Sequence, residues 1–209
     1  MPMEPIVVWR RPPKRGPQTP LVVFLHGRGA DEYDLIDISN ALPKSFAYAS
    51  VRAFVDTPGG GYTWFENRGP ARPIASSVRQ SVADLRVWFD RADVAPAGTP
   101  LYLFGFSAGM MMAGALLCDD PARYAGAVLL SGAFAFDAGL PMSAGRLSDV
   151  AIFYAHGTRD DMIPRDLAVR TARYLADQSG AELTARSYEH GHEISNRELA
   201  DIATWFGER

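Results

Sequence analysis

Apolar residues in this chain fall into short continuous runs separated by polar, Gly- and Pro-rich stretches. Runs at 6–10, 21–25, 46–54, 101–104, 125–130, 150–155 and 183–188 read as strands. The run at 21–25 is apolar throughout, as expected of a strand covered on both faces. Between the runs the period lengthens to that of a helix. Leu35, Ile36 and Ile38 suggest a helix opened by Asp31 and ending near Pro43. Val78, Val82, Leu85, Val87, Trp88 and Phe89 give 77–92 a broad apolar face. Further helices are expected from Ser107 to about Cys118, over 165–179 and over 193–206. Segments 12–20, 56–73 and 134–147 lack either period and read as irregular connections. The first, with Arg10, Arg11, Lys14 and Arg15, reads as a solvated surface connection.

Strands alternating with helices predict an α/β fold: a mostly parallel sheet with helices on both faces. No repeat or composition shift divides the chain, so residues 1–209 are expected to form a single domain without a separate cap domain. In such sheets, ligands sit beyond the carboxyl ends of the strands. The polar segments His26 to Asp31, Ser107, Asp160/Asp161 and His192 all follow predicted strands. They are therefore expected to converge on one edge.

Gly105, Ser107 and Gly109 spell G-x-S-x-G between a predicted strand and a predicted helix. In that context the turn holds a serine hydroxyl out above the sheet, and the glycines leave room for strand and helix to approach. A serine needs a base to take its proton, and the base needs a carboxylate to fix its tautomer. Downstream lie Asp160 or Asp161, then His190 or His192. The flexible Gly191 and the helix expected after it favour His192 as the base, with His190 a surface loop residue. His26 and His156 read as structural. An oxyanion formed on the substrate would need two backbone N–H groups. Ala108, after the serine, and Arg28, in the Gly-flanked loop after 21–25, are the candidates. Trp64, Phe65, Phe134, Phe136, Leu140 and Met142 are candidates for a substrate pocket, Trp64 in particular, while Met110 to Met112 read as core.

These residues together resemble the phospholipase/carboxylesterase family of α/β-hydrolases, which includes bacterial carboxylesterases and acyl-protein thioesterases. The resemblance runs from about Pro20 to Phe206. It rests on Leu25-His-Gly-Arg-Gly-Ala-Asp31, Trp64-Phe65, Gly105-Phe-Ser-Ala-Gly109, Leu130-Ser-Gly132, His156-Gly-Thr-Arg-Asp160 with Ile163-Pro164, and Gly191-His-Glu-Ile194. It implies the α/β-hydrolase fold and a cofactor-free, metal-free hydrolase with Ser107, Asp160 and His192 as its triad. The family's HG-x-x-D spacing selects Asp160 over Asp161. It also implies an oxyanion hole at the Arg28 and Ala108 backbone. Ala108 where the thioesterase branch often has Gln, Met110 to Met112, and Arg28 in place of an apolar residue favour a small-ester carboxylesterase. Thioesterase or lysophospholipase action on longer chains, and a non-catalytic ligand-binding role, are the alternatives.

The totals restrict partners. Of 209 residues 47% are hydrophobic and 22% charged, with a net charge of −3. That suits a globular domain with a sizeable core and offers no basic surface for nucleic acid or an anionic membrane. No apolar run approaches the ~18 residues of a membrane span. No signal-peptide pattern opens the chain, so a cytoplasmic location is expected. The single cysteine, Cys118, excludes an internal disulfide and reads as a small core residue. The four histidines show no H-x-x-x-H pair for a metal. The expected partner is a small-molecule ester, with a homodimer as an open option.

Overall fold

The computed structural model describes residues 3–14, 16–69 and 71–209; Arg15 of the basic connection and Pro70 of the 56–73 segment lie outside them. The strands are β1 (Val7–Arg10), β2 (Leu21–Leu25), β3 (Ala47–Val51), β4 (Val55–Asp56), β5 (Tyr62–Thr63), β6 (Leu101–Phe106), β7 (Gly126–Leu130), β8 (Ala151–Gly157) and β9 (Glu182–Tyr188). Among the described residues, seven of these form one sheet in the order β1-β3-β2-β6-β7-β8-β9. All neighbours are parallel except β1, which runs antiparallel to β3 at one edge. The central strands are buried along their length. The outer strand β9 is exposed or half-buried along its length until Tyr188, which is buried.

Strand periodicity divides the core in two. Leu21, Val23 and Leu25 of β2, with Leu101 and Leu103 of β6, face one layer. That layer holds α1 (Ala75–Phe89) and α2 (Ala108–Asp119), and Leu167 of α3 (Arg165–Arg173) packs against it. Val22 and Phe24, with Tyr102 and Phe104, face the other, where Ile202, Trp205 and Phe206 of α4 (Asn196–Gly207) pack. The two-residue period thus presents each strand to a helix on both sides. Cys118 is buried in the first layer, and burial pushes its thiol up to about 12.

Three expectations need correction. The segment after Asp31 is not a full helix: only Ile36–Asn40 is helical, as a single 3-10 stretch. Asp31 instead accepts the Tyr33 N–H through its side chain at 2.9 Å, closing a turn that competes with helix initiation. The 56–73 connection is not wholly irregular. Its start forms a hairpin in which β4 pairs with β5, turning through Gly60 and Gly61, both at positive φ. The last helix begins at Asn196 rather than 193, because Ser195 caps it: Ser195 accepts the Glu198 N–H and the Glu198 carboxylate accepts the Ser195 N–H. The irregular character of 134–147 holds as read, and β1 takes an edge of the sheet. No inserted cap domain interrupts the described elements.

Candidate active site

The parallel strands release their polar loops at one edge. Strand β6 passes directly into Ser107, whose backbone sits at φ 56°, ψ −117°, outside the regions an L-residue normally occupies. Two neighbours hold it there: the Ser107 N–H donates to the Leu130 carbonyl at 3.0 Å, and its carbonyl accepts the Met111 N–H at 3.2 Å. The flanking glycines are required sterically. A Cβ on Gly109 would overlap the carbonyl of Leu25, and one on Gly105 would overlap that of Gly109. A Cβ on Gly132, across from the turn, would come within 2.7 Å of the Ser107 carbonyl oxygen. Bringing strand, turn and helix this close is what lifts the hydroxyl clear of the sheet.

His192 reaches Ser107 from the loop after β9. Its Nε2 lies 2.9 Å from Ser107 Oγ, and its Nδ1 lies 2.8 Å from Asp160 Oδ2. With the proton on Nδ1, the imidazole donates to the carboxylate and accepts the serine O–H. Asp160 is fully buried at its side chain, and its Oδ1 accepts the backbone N–H groups of Met162 and Ile163 at 3.0 and 3.3 Å. Those amides occupy the oxygen that does not hold the histidine. Phe106 packs beside the imidazole, with ring centroids 4.9 Å apart. Three side chains 32 to 85 residues apart in sequence thus form one hydrogen-bonded chain.

On the opposite side, the His26 to Asp31 loop is held by the hairpin. The Gly29 N–H donates to the Tyr62 carbonyl at 2.8 Å, and the Tyr62 N–H donates to the Ala30 carbonyl at 2.9 Å. Gly29 is thereby tied down, while Arg28 next to it lines the cavity over the serine together with Ala108. That cavity has a volume of about 220 Å³. Phe65, Met111, Ala133, Met162 and Ile163 give it mostly apolar walls.

A family model described as phospholipase/carboxylesterase matches residues 12–207. The chain belongs to that family. It is a hydrolase of the carboxylesterase type. Solved structures of similar fold include a carboxylesterase from Bacillus cereus, 20% identical, covering 98% of this chain and 94% of that chain with a TM-score of 0.85. A carboxylesterase from Mesorhizobium loti is 21% identical over 94% and 91% of the two chains, with a TM-score of 0.81. An acyl-protein thioesterase 2 from Zea mays is 21% identical over 97% and 98%, with a TM-score of 0.77. These likenesses establish the α/β-hydrolase fold.

Within this family fold, five residues expected at the substrate pocket lie elsewhere: Phe136 borders a neighbouring cleft, and Leu140 and Met142 pack against the core, as do Trp64 and Phe134. Trp64 is fully buried. Its indole N–H donates to the His26 carbonyl at 2.8 Å, and its carbonyl accepts the Ser81 hydroxyl at 2.5 Å. A polar loop crossing the sheet edge leaves buried backbone groups, and the indole satisfies one of them. Phe134 is also buried, edge-on to Tyr174 and against Gly114. It borders the neighbouring cleft and not the serine's cavity. Phe65 does line the cavity. Met111, grouped with the core, lines it as well; an apolar residue one turn past the serine carries no sequence signal that separates wall from core.

The other histidines divide differently from expectation. His26 is structural: its Nδ1–H donates to the Gly27 carbonyl at 2.7 Å, and its Nε2 accepts the Ala53 N–H at 3.1 Å. Burial holds its pKa below the usual 6.5. His190 is not a surface residue. It is buried, stacks on Tyr188, and meets the Glu198 carboxylate at 3.2 Å. Burial also raises the Glu198 pKa above the ordinary carboxylate value. This pair ties the His192 loop to the cap of α4. His156 lies 3.8 Å from the Asp160 carboxylate, and burial lowers its pKa. Asp161 is exposed.

Among the described residues no group of three or more His, Cys, Asp or Glu side chains is arranged to hold a metal ion. No helix among them is long and apolar enough to cross a membrane.

Proposed function

We propose that the protein is a serine carboxylesterase that hydrolyses short- to medium-chain esters through an acyl-enzyme. The observation that carries this reading is the continuous hydrogen-bonded chain Asp160–His192–Ser107, opening into an apolar cavity. Ser107 Oγ attacks the ester carbonyl carbon as His192 Nε2 takes its proton. Asp160 keeps the imidazole in the accepting tautomer and stabilises the imidazolium. The oxyanion is received by the backbone N–H groups of Ala108 and Arg28. Ala108 is the first residue of α2, so its N–H has no partner within the helix. The intermediate collapses, His192 protonates the departing alcohol, and a water activated by the same imidazole releases the acid.

The room over Ser107 supports this range of acyl length. At ~30 Å³ for each water-sized group, a cavity of about 220 Å³ takes about seven such groups. That suits a short or medium acyl chain and not a palmitoyl chain. Hydrolysis of 4-nitrophenyl butyrate by wild type and Ser107→Ala tests the mechanism. Turnover is expected to drop by on the order of 10⁴-fold or more, with the melting temperature held. Undiminished turnover would remove Ser107 from the reaction. An acyl series from acetate to palmitate, run as oxygen esters and as thioesters, tests the substrate class. A rate rising through palmitate, or one confined to thioesters, would favour the long-chain thioesterase reading instead.

A further inference from the structure

The cavity over Ser107 adjoins a larger cleft that the esterase reading leaves unused. The same three segments wall both. Asn67 and Gly69, Ala133, and Ile163 border the cavity, while Arg68 and Arg72, Phe136 and Asp137, and Asp166 and Arg170 border the cleft. Ala71 belongs to both and holds a left-handed backbone at φ 50°. The cleft is about 640 Å³, nearly three times the cavity's volume.

Its charge is unlike that of the chain. The protein carries a net −3, yet this cleft presents three guanidinium groups against two carboxylates. Among the described residues, none of Arg68, Arg72 and Arg170 is ion-paired within 4.0 Å to a carboxylate. Arg170 is pre-set: its guanidinium carbon lies 3.9 Å from the centroid of the Phe136 ring, which lines the same cleft. A stacked arginine loses less freedom when it grips a ligand, and its planar fork matches two oxygens at once.

Building on Ser107 as the nucleophile, we propose that this cleft is a subsite for an anionic group of the substrate. The preferred esters then carry a carboxylate or a phosphate on the part that extends from the cavity past Ala71. Arg72 and Arg170 hold that group, with Arg68 adding to the local positive field.

Two matched pairs of substrates test this. One sets 4-nitrophenyl hydrogen glutarate against 4-nitrophenyl butyrate. The other sets a butyryl ester of glycerol phosphate against the butyryl ester of glycerol. Wild type is expected to prefer the anionic member of at least one pair by about tenfold or more in kcat/KM, the effect of one charge-assisted contact. Which pair responds tells a carboxylate on the acyl side from a phosphate on the alcohol side. The preference is expected to fall to within about twofold in Arg72→Ala/Arg170→Ala, chiefly through KM, and to shrink in 0.5 M salt. The same variant keeps wild-type turnover of the neutral esters, which shows that it folds. Equal rates within both pairs, or a preference that survives the double substitution, would mean solvated surface arginines and overturn the subsite. The esterase reading would then still stand on Ser107-dependent turnover of the neutral esters. Loss of that turnover would sink both.

Discussion

His26 and His192 leave the same edge of one sheet, after β2 and β9, yet their surroundings differ at every bond. His26 is fully buried, and both ring nitrogens are engaged by backbone groups. Trp64 then bonds the His26 carbonyl, and Ser81 bonds the Trp64 carbonyl, so the polar groups close on themselves. The side chain of His192 is 17% exposed, and its partners are a carboxylate and a hydroxyl. Backbone amides and carbonyls do not ionise near neutral pH; an alcohol can give its proton to the imidazole, and a carboxylate can stabilise the imidazolium that results. The imidazole is the same in both places. What separates support from chemistry is whether its neighbours can change charge and whether a substrate can reach it.

The contrast predicts that substitutions on the two sides fail in different ways. His192→Ala is expected to lower kcat on a neutral ester by on the order of 10⁴-fold or more while leaving thermal unfolding in place. Asp160→Asn is expected to cost about as much, on the order of 10⁴-fold, because the amide no longer selects the tautomer that accepts the serine proton. Steady-state rates with a melting curve on each purified variant check both. A variant that melts early with activity per folded molecule intact would place His192 or Asp160 on the structural side instead.

The sheet and the strained turn at Ser107 were legible because each leaves a local mark. Continuous apolar runs mark buried parallel strands, and the elbow needs glycine where any Cβ would strike backbone. Asp160 and His192 were legible only through a pattern of spacings, since nothing local distinguishes Asp160 from Asp161. The losses came where long-range partners decide. Trp64 stands in a Gly-rich loop, which reads as exposed, but the buried carbonyl of His26 claims its indole. Phe134 and Met111 exchange expected places because one lies under Tyr174 and the other beside Ser107, a matter of packing between distant segments. His190 looks like a loop residue until Glu198, eight residues on, is brought against it by the cap of α4.

Smaller effects are expected on the structural side. His26→Ala leaves the Ala53 N–H without its partner in a dry site, at ~1–3 kcal/mol, while the Gly27 carbonyl keeps the Ala30 N–H. For a chain of this length that corresponds to a fall in melting temperature of roughly 2–4 °C per kcal/mol. Activity per folded molecule is expected to stay within about threefold of wild type, in contrast to His192→Ala. Trp64→Phe keeps most of the apolar volume but orphans the His26 carbonyl, and is expected to cost about 1–2 kcal/mol. Denaturant melts together with ester turnover separate the two losses. A collapse of turnover in well-folded Trp64→Phe would return Trp64 to the substrate.

The smallest effect is the most specific to the comparison, because it concerns a proton that His26 should refuse. Burial lowers the His26 pKa from 6.5, so the unfolded chain binds a proton at pH values where the folded chain does not. Where the unfolded state holds more protons, stability rises with pH. The contribution of neutral His26 is therefore present above about pH 6.5 and is lost as the pH falls through the folded value. His156 is shifted in the same direction, and Glu198, whose pKa is raised, loses its contribution in the opposite sense, as pH climbs above the ordinary carboxylate range. Wild-type melting alone would mix the three. The difference between wild type and His26→Ala isolates one of them, since the other two groups are common to both proteins. That difference is expected to be largest near pH 7.5 and to narrow by pH 5, as the wild type meets a protonation the variant cannot undergo. A gap that stayed constant over this range would mean that His26 takes up its proton as readily folded as unfolded, and the division between a silent and a working imidazole would lose its electrostatic basis.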